Sequence, residues 1–172
     1  FMETIFYILF ALMQVQLFVI IALLLRGQAS MTRLKGACFV DTSTLIDGRI
    51  MDAARAGFVP GRLVVPRSVL AELQLLADGS DSDKRARARH GLDVVRSLKD
   101  LDEVEVTIFD DGKFKDGVDN QLLHLARSYQ GSICTIDYNL NKVAKAESLP
   151  VLNINELAKN LRMNFLPGER AS

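Results

Sequence analysis

The sequence predicts an α/β fold: a three-layer α/β/α arrangement around a central parallel sheet, preceded by an N-terminal transmembrane helix. Three observations carry this. From Leu34 onward, short apolar runs alternate with helical stretches, the pattern of parallel strands covered on both faces. Residues 4–25 form one uncharged, almost wholly apolar stretch. Asp41 and Asp137 each directly follow an apolar strand candidate, at the edge where such sheets place their ligand sites.

Composition narrows the function classes. The 172 residues are 49% hydrophobic and 24% charged, which excludes a disordered chain. Lys+Arg and Asp+Glu are 21 each, so the chain is neither a basic nucleic-acid coat nor an acidic tail, although a local patch stays open. Two cysteines, Cys38 and Cys134, exclude a disulfide framework and a Cys-rich zinc module, and two histidines, His90 and His124, exclude a His-rich metal site. Chemistry therefore falls to carboxylates, hydroxyls and basic side chains.

The elements follow in order. Of the 22 residues in TIFYILFALMQVQLFVIIALLL (4–25), 19 are apolar and none is charged. As a helix they would extend about 33 Å, against about 30 Å of hydrocarbon. Glu3 is the one charge ahead of the run, so the basic n-region of a cleaved signal peptide is missing. Arg26, Arg33 and Lys35 follow, and the positive-inside rule then places the remainder in the cytoplasm, beneath the cell membrane. There both cysteines would be reduced core residues. GACFVD (36–41) is the first strand, with a helical stretch through Ile50 to Ala56 after it, ended by Gly57. RLVV (62–65) is the second strand, and Pro66 opens a helix with Leu70, Leu73, Leu76 and Ala77 inward. DGSDSD (78–83) is a loop, Lys84 to Leu98 a helix, VEVTIF (104–109) a strand and DDGKFKDG (110–117) a loop. Val118 to Tyr129 is helix, SICTI (132–136) strand, Leu140 to Glu147 helix, PVLNI (150–154) strand and Glu156 to Leu161 helix.

This order brings four acids to one sheet edge. Asp41 and Asp137 leave their strands there, Glu72 lies two turns into the helix after the second strand, and Asp119 lies in the first turn of the helix after the third. Clustered carboxylates repel and raise one another's pKa values unless a cation neutralises them. Oxygen donors without His or Cys are the ligand set of Mg²⁺ or Mn²⁺, and such a metal can activate water and stabilise charge on a phosphate oxygen. Each acid alone also has a plain reading: Asp41 as a helix cap, Asp119 as a helix-dipole partner, Glu72 as a solvated side chain.

The motifs resemble those of PIN domains, a family of metal-dependent nucleases. FVDTSTLIDGRI (39–50), VVPRSVLAEL (64–73), DGVDNQLLHLA (116–126) and TIDYNLNKVA (135–144) are similar, in order, to the four family motifs. The resemblance runs from Gly36 to Asn155, about 70% of the chain. The wording of IDGRI and YNLNKVA is similar to bacterial membrane-anchored PIN–TRAM proteins, which are PilT N-terminus-like. Two departures stand out. Ile136 occupies a position where the family often has Asn, and the RNA-binding TRAM module that usually follows a sequence like NFLPGE (164–169) is absent before Ser172. The resemblance implies a PIN-like nuclease domain over 31–163, after a membrane helix and linker (1–30) and before a C-terminal linker (164–172). It implies hydrolysis of RNA phosphodiesters, with single-stranded RNA as substrate, Asp41, Glu72, Asp119 and Asp137 holding Mg²⁺ or Mn²⁺, and a homo-oligomeric, membrane-bound protein.

Secondary candidates are Thr42 and Ser43, to orient Asp41, touch a phosphate or cap the next helix; Asp47 and Asp116, as supporting or second-metal ligands or as turn and cap residues; and Asn120 and Asn139, as hydrogen-bonding helix-start residues or site contacts. Lys84, Arg85, Arg87, Arg89, His90 and Arg96 form a basic stretch that reads as a phosphate track or as a solvated face. The rival to an enzyme is a non-catalytic RNA-binding or oligomerising module with a vestigial acidic cleft. A receiver-type phosphoaspartyl domain fails, because the residue two beyond Asp41 is Ser43. No G-x-x-x-x-G-K-[ST] is present, so an ATPase reading fails as well.

Overall fold

The computed structural model describes residues 5, 7, 10, 12–22, 34–112 and 117–160. The chain divides into two units, Phe1–Lys35 and Gly36–Ser172. In the first, residues 12–22 are helical. Among the described residues no helix is long and apolar enough to cross a membrane. The expected transmembrane helix over 4–25 is therefore not supported, and part of it lies outside the described residues.

The second unit is a five-stranded parallel sheet with flanking helices. In chain order its elements are β1 (Cys38–Val40), α1 (Thr42–Asp47), α2 (Ile50–Arg55), β2 (Arg62–Pro66), α3 (Arg67–Ala77), α4 (Ser82–Lys99), β3 (Glu105–Phe109), α5 (Val118–Ser128), β4 (Ser132–Cys134), α6 (Tyr138–Ala146), β5 (Val151–Leu152) and α7 (Ile154–Asn160). The strand order is β3-β2-β1-β4-β5. β1 is central, pairing Cys38 with Leu63 on one side and with Ser132 on the other. Its residues are fully buried, as a strand covered on both faces requires. Phe39, Leu63, Val64, Val65 and Ile133 form the core of the sheet. Cys38 and Cys134 are free and buried beside it.

The order also fixes where a site can form. From β1 the chain proceeds outward through β2 to β3; from β4 it proceeds the other way to β5. The reversal falls between β1 and β4, and a parallel sheet opens a crevice at the carboxyl ends of the strands there. Asp41 and Asp137 flank that crevice in sequence, three residues beyond Cys38 and Cys134 respectively.

Several element boundaries differ from the sequence reading. The first helical stretch is two helices, because Gly48 adopts a left-handed φ of 80° and ends α1. Pro66 closes β2 and takes the N-cap position, so α3 begins at Arg67. The polar loop is shorter than expected: Asp81 accepts hydrogen bonds from the Asp83 and Lys84 amides and starts α4 at Ser82. The last strand is two residues long.

Candidate functional site

Asp41, Thr42, Ser43, Ile46, Glu72, Asp119 and Asp137 line one cleft of about 310 Å³. The four acids read from the sequence thus come together, from β1, α3, α5 and the end of β4.

The best-ordered of them is Asp41, only 4% exposed. It occupies the N-cap position of α1 without capping that helix through its side chain, so the plain reading as a cap is corrected. Its Oδ2 accepts from the Ser43 hydroxyl and, at 2.8 Å, from Thr135 Oγ1. Those hydroxyls in turn accept backbone amides: Ile136 N–H donates to Ser43 Oγ at 3.3 Å and Asp137 N–H to Thr135 Oγ1 at 3.0 Å. A hydroxyl has one hydrogen and two lone pairs. Two amides therefore feed two hydroxyls, whose hydrogens converge on one carboxylate oxygen and fix its direction. Ile136 contributes through its amide here, where an Asn side chain was the family expectation.

Asp137 caps α6, its Oδ1 accepting from the Leu140 amide at 2.8 Å. Glu72 accepts from Thr42 Oγ1 at 2.5 Å. Thr42 thus serves Glu72 and Ser43 serves Asp41, where the sequence suggested both for Asp41. Asp119, in the first turn of α5, has its carboxyl pushed above the ordinary value, first by burial and then by the charges of Asp41, Asp137 and Glu72. All three other acids act on it, which is the electrostatic mark of a shared cluster.

Thr135 was not singled out by sequence reasoning. It is fully buried and joins Asp41 to Asp137. Its one signal was a hydroxyl at a strand end, two residues before an acid. Of the secondary candidates, Asp47 is away from the cleft, paired with Arg49 Nε at 2.6 Å and held below the usual carboxylate range by it. Asn139 is exposed, and neither it nor Asn120 lines the cleft. Asp116 lies outside the described residues. Along α4, Lys84, Arg87, Arg89, His90 and Arg96 are exposed, whereas Arg85 donates to the Ser80 and Gly79 carbonyls at 2.7 and 3.2 Å. None of these lines the cleft.

In kind, four carboxylates fit a hard divalent cation. In placement they fall short: among the described residues no three His, Cys, Asp or Glu side chains stand so as to hold a metal ion. One oxygen of Glu72 is engaged by Thr42 and one of Asp137 by its own helix.

Relatives settle the family. The chain is 46% identical over 132 residues to the uncharacterized PIN and TRAM-domain containing protein YacL of Bacillus subtilis (strain 168), covering 76% of this chain and 36% of that protein. It is 36% identical over 166 residues to the uncharacterized PIN and TRAM-domain containing protein TTHA0540 of Thermus thermophilus, covering 94% of this chain and 49% of that one. The chain belongs to the PIN-domain family. It spans between about a third and a half of the curated PIN relatives it matches. No family model matches it. Among solved structures, a domain of a functionally unknown protein from Methanocaldococcus jannaschii aligns with a TM-score of 0.57 at 20% identity, over 80% of this chain and 99% of that one. That likeness speaks to fold alone. PIN domains are in general nucleases that use divalent metals, which gives the acidic cleft its context.

Proposed function

We propose that this chain is a metal-dependent endoribonuclease that hydrolyses RNA phosphodiesters at the cleft of Asp41, Glu72, Asp119 and Asp137. The observation that carries the reading is the convergence of the four acids on one cleft. Such a cluster of like charge is costly unless a cation offsets it. Asp41, Glu72, Asp119 and Asp137 would hold Mg²⁺ or Mn²⁺, which when bound supplies positive charge for a phosphate oxygen and for the entering water. The chain's own residues do the rest. Ser43 and Thr135 hold Asp41 fixed in direction. Thr42 holds one oxygen of Glu72. Ile46 gives the cleft an apolar wall that limits water.

The substrate we propose is single-stranded RNA, with the exposed basic residues of α4, Arg87, Arg89 and Arg96 among them, as the surface that meets its backbone. We further propose a homo-oligomer at the cell membrane of a bacterium, anchored through residues 4–25 with the PIN domain on the cytoplasmic side. What supports the anchor is the apolar run, the basic residues after it, and the exposure of its described apolar side chains, Phe18 reaching 73%. A reporter fused after Ser172 should be active only in a form that works in the cytoplasm; periplasmic activity would refute the orientation.

A second reading, a non-catalytic RNA-binding or oligomerising module, is favoured by one observation: among the described residues no three acids are placed to hold an ion. Labelled single-stranded RNA incubated with Mn²⁺ separates the two. Cleavage by the parent chain and none by Asp41→Asn is the expected result. RNA bound by both and cut by neither would establish the second reading.

A further inference from the structure

The N-terminus of α3, the helix that carries Glu72, is capped from outside its own segment. Pro66 stands at the N-cap position and offers no side-chain acceptor. Asp111, beyond the end of β3, supplies one: its Oδ1 accepts the Ser68 amide at 3.1 Å, one of the donors that a helix start leaves without a partner. The negative charge also suits that end of the helix. The Asp111 backbone carbonyl is held in turn by α5, where Gln121 Nε2 donates to it at 2.9 Å. Gln121 lies two residues beyond Asp119 and is only 3% exposed. Ser68 lies four residues before Glu72, one helical turn. A continuous path of hydrogen bonds therefore runs from the Glu72 helix through Asp111 to the Asp119 helix.

We propose that Asp111 and Gln121 are positioning residues: together they tie the first turn of α3 to α5 and so fix the separation of Glu72 and Asp119. The proposal rests on the reading of the cleft as a cation site. Packing does not explain these side chains. Among the described residues Ser68 Oγ, Asp111 Oδ2 and Gln121 Oε1 are buried without hydrogen-bond partners. A region kept for stability alone is better served by apolar groups than by orphaned oxygens. A tie that must hold two helices at a set distance gives a reason to keep them.

Three variants of the full 172-residue chain test this: Asp111→Ala, Asp111→Asn and Gln121→Leu. The measurements are Mn²⁺ affinity by calorimetry, the urea midpoint without metal, and the exchange rate of the Ser68 amide. Asp111→Asn keeps an oxygen for Ser68, so it should rescue what Asp111→Ala loses. Asp111→Ala and Gln121→Leu should each weaken Mn²⁺ binding by roughly tenfold or more, the scale of lost support behind metal ligands. Asp111→Asn should stay close to the parent, and Ser68 exchange should quicken in Asp111→Ala alone of the two Asp111 variants. Parental Mn²⁺ affinity in a folded Asp111→Ala chain overturns the proposal. So does an equal loss in Asp111→Asn, which would mean that the charge matters and not the tie. Should Asp111→Ala fail to fold, Gln121→Leu tests the same path from its other end. A parent chain that binds no Mn²⁺ brings down the cation reading itself, and the positioning role with it, a failure visible without any variant.

Discussion

Thr135 shows what a single hydroxyl does at a strand end. It donates to Asp41 and accepts from the Asp137 amide, in a place without access to water. Thr135→Val keeps the shape and removes both bonds. The expected loss is about 1–3 kcal/mol, the usual cost of leaving buried polar groups unpaired, read as a lower urea midpoint. Asp119 behaves in the opposite sense. Its carboxyl is raised above the unfolded value, so the folded chain takes up this proton more readily than the unfolded one. Its repulsion is present in full above the folded value and fades as pH falls through that value into the ordinary carboxylate range. Asp119→Asn should therefore raise the melting temperature of the metal-free chain at neutral pH and flatten its acid-side pH dependence, while weakening Mn²⁺ binding. The stability gain stays below about 1 kcal/mol because the residue is exposed overall and its carboxyl only partly buried, so solvent screens it. Lower stability in Asp119→Asn at neutral pH would contradict the repulsion. At this scale the sequence was informative about acids and less so about hydroxyls. A carboxylate after an apolar run announces itself, whereas the partner of Asp41 lies 94 residues away and no local pattern links the two.

Elements were legible in kind and less so in extent. Alternating apolar runs located all five strands, but strand ends are set by pairing: β5 stops after the two residues that meet Ile133 and Cys134. The first helical stretch was read as one because Gly48 looks like any exposed glycine; its left-handed backbone is what divides α1 from α2. The junction between α5 and β4 has the tightest backbone approach. A Cβ at Gly131 would stand 2.3 Å from the Ala37 carbonyl oxygen and 2.9 Å from the Phe39 ring, just where the Ser132 amide enters the sheet by donating to that carbonyl. Gly131→Ala should cost about 1–3 kcal/mol, the range for overfilling a packed site, with a matching fall in the thermal midpoint. A midpoint within error of the parent would show that β4 can shift.

For the whole molecule, the decisive feature is the reversal of strand order between β1 and β4. It was implicit in the sequence only as two acids after two apolar runs, since strand order is a tertiary fact. It predicts that cation binding and folding are linked, because the four acids meet only in the folded chain. At free Mn²⁺ of 100 times the dissociation constant, stability should rise by about 2.7 kcal/mol and return to its starting value with chelator. Asp41→Asn and Asp137→Asn should each blunt the rise. A melting temperature indifferent to Mn²⁺ would remove the four-acid site.

The central place of β1 has a consequence for how the protein is made. One neighbour of β1, β2, leaves the ribosome soon after it, but the other, β4, follows some 94 residues later. During that interval Asp41 has neither the hydroxyl of Thr135 nor the company of Asp137, although Glu72 and Asp119 have already been synthesised. The nascent chain thus carries three of the four acids before the strand that precedes the fourth has been made. Completion of the acid cluster therefore waits on the pairing of β4 with β1.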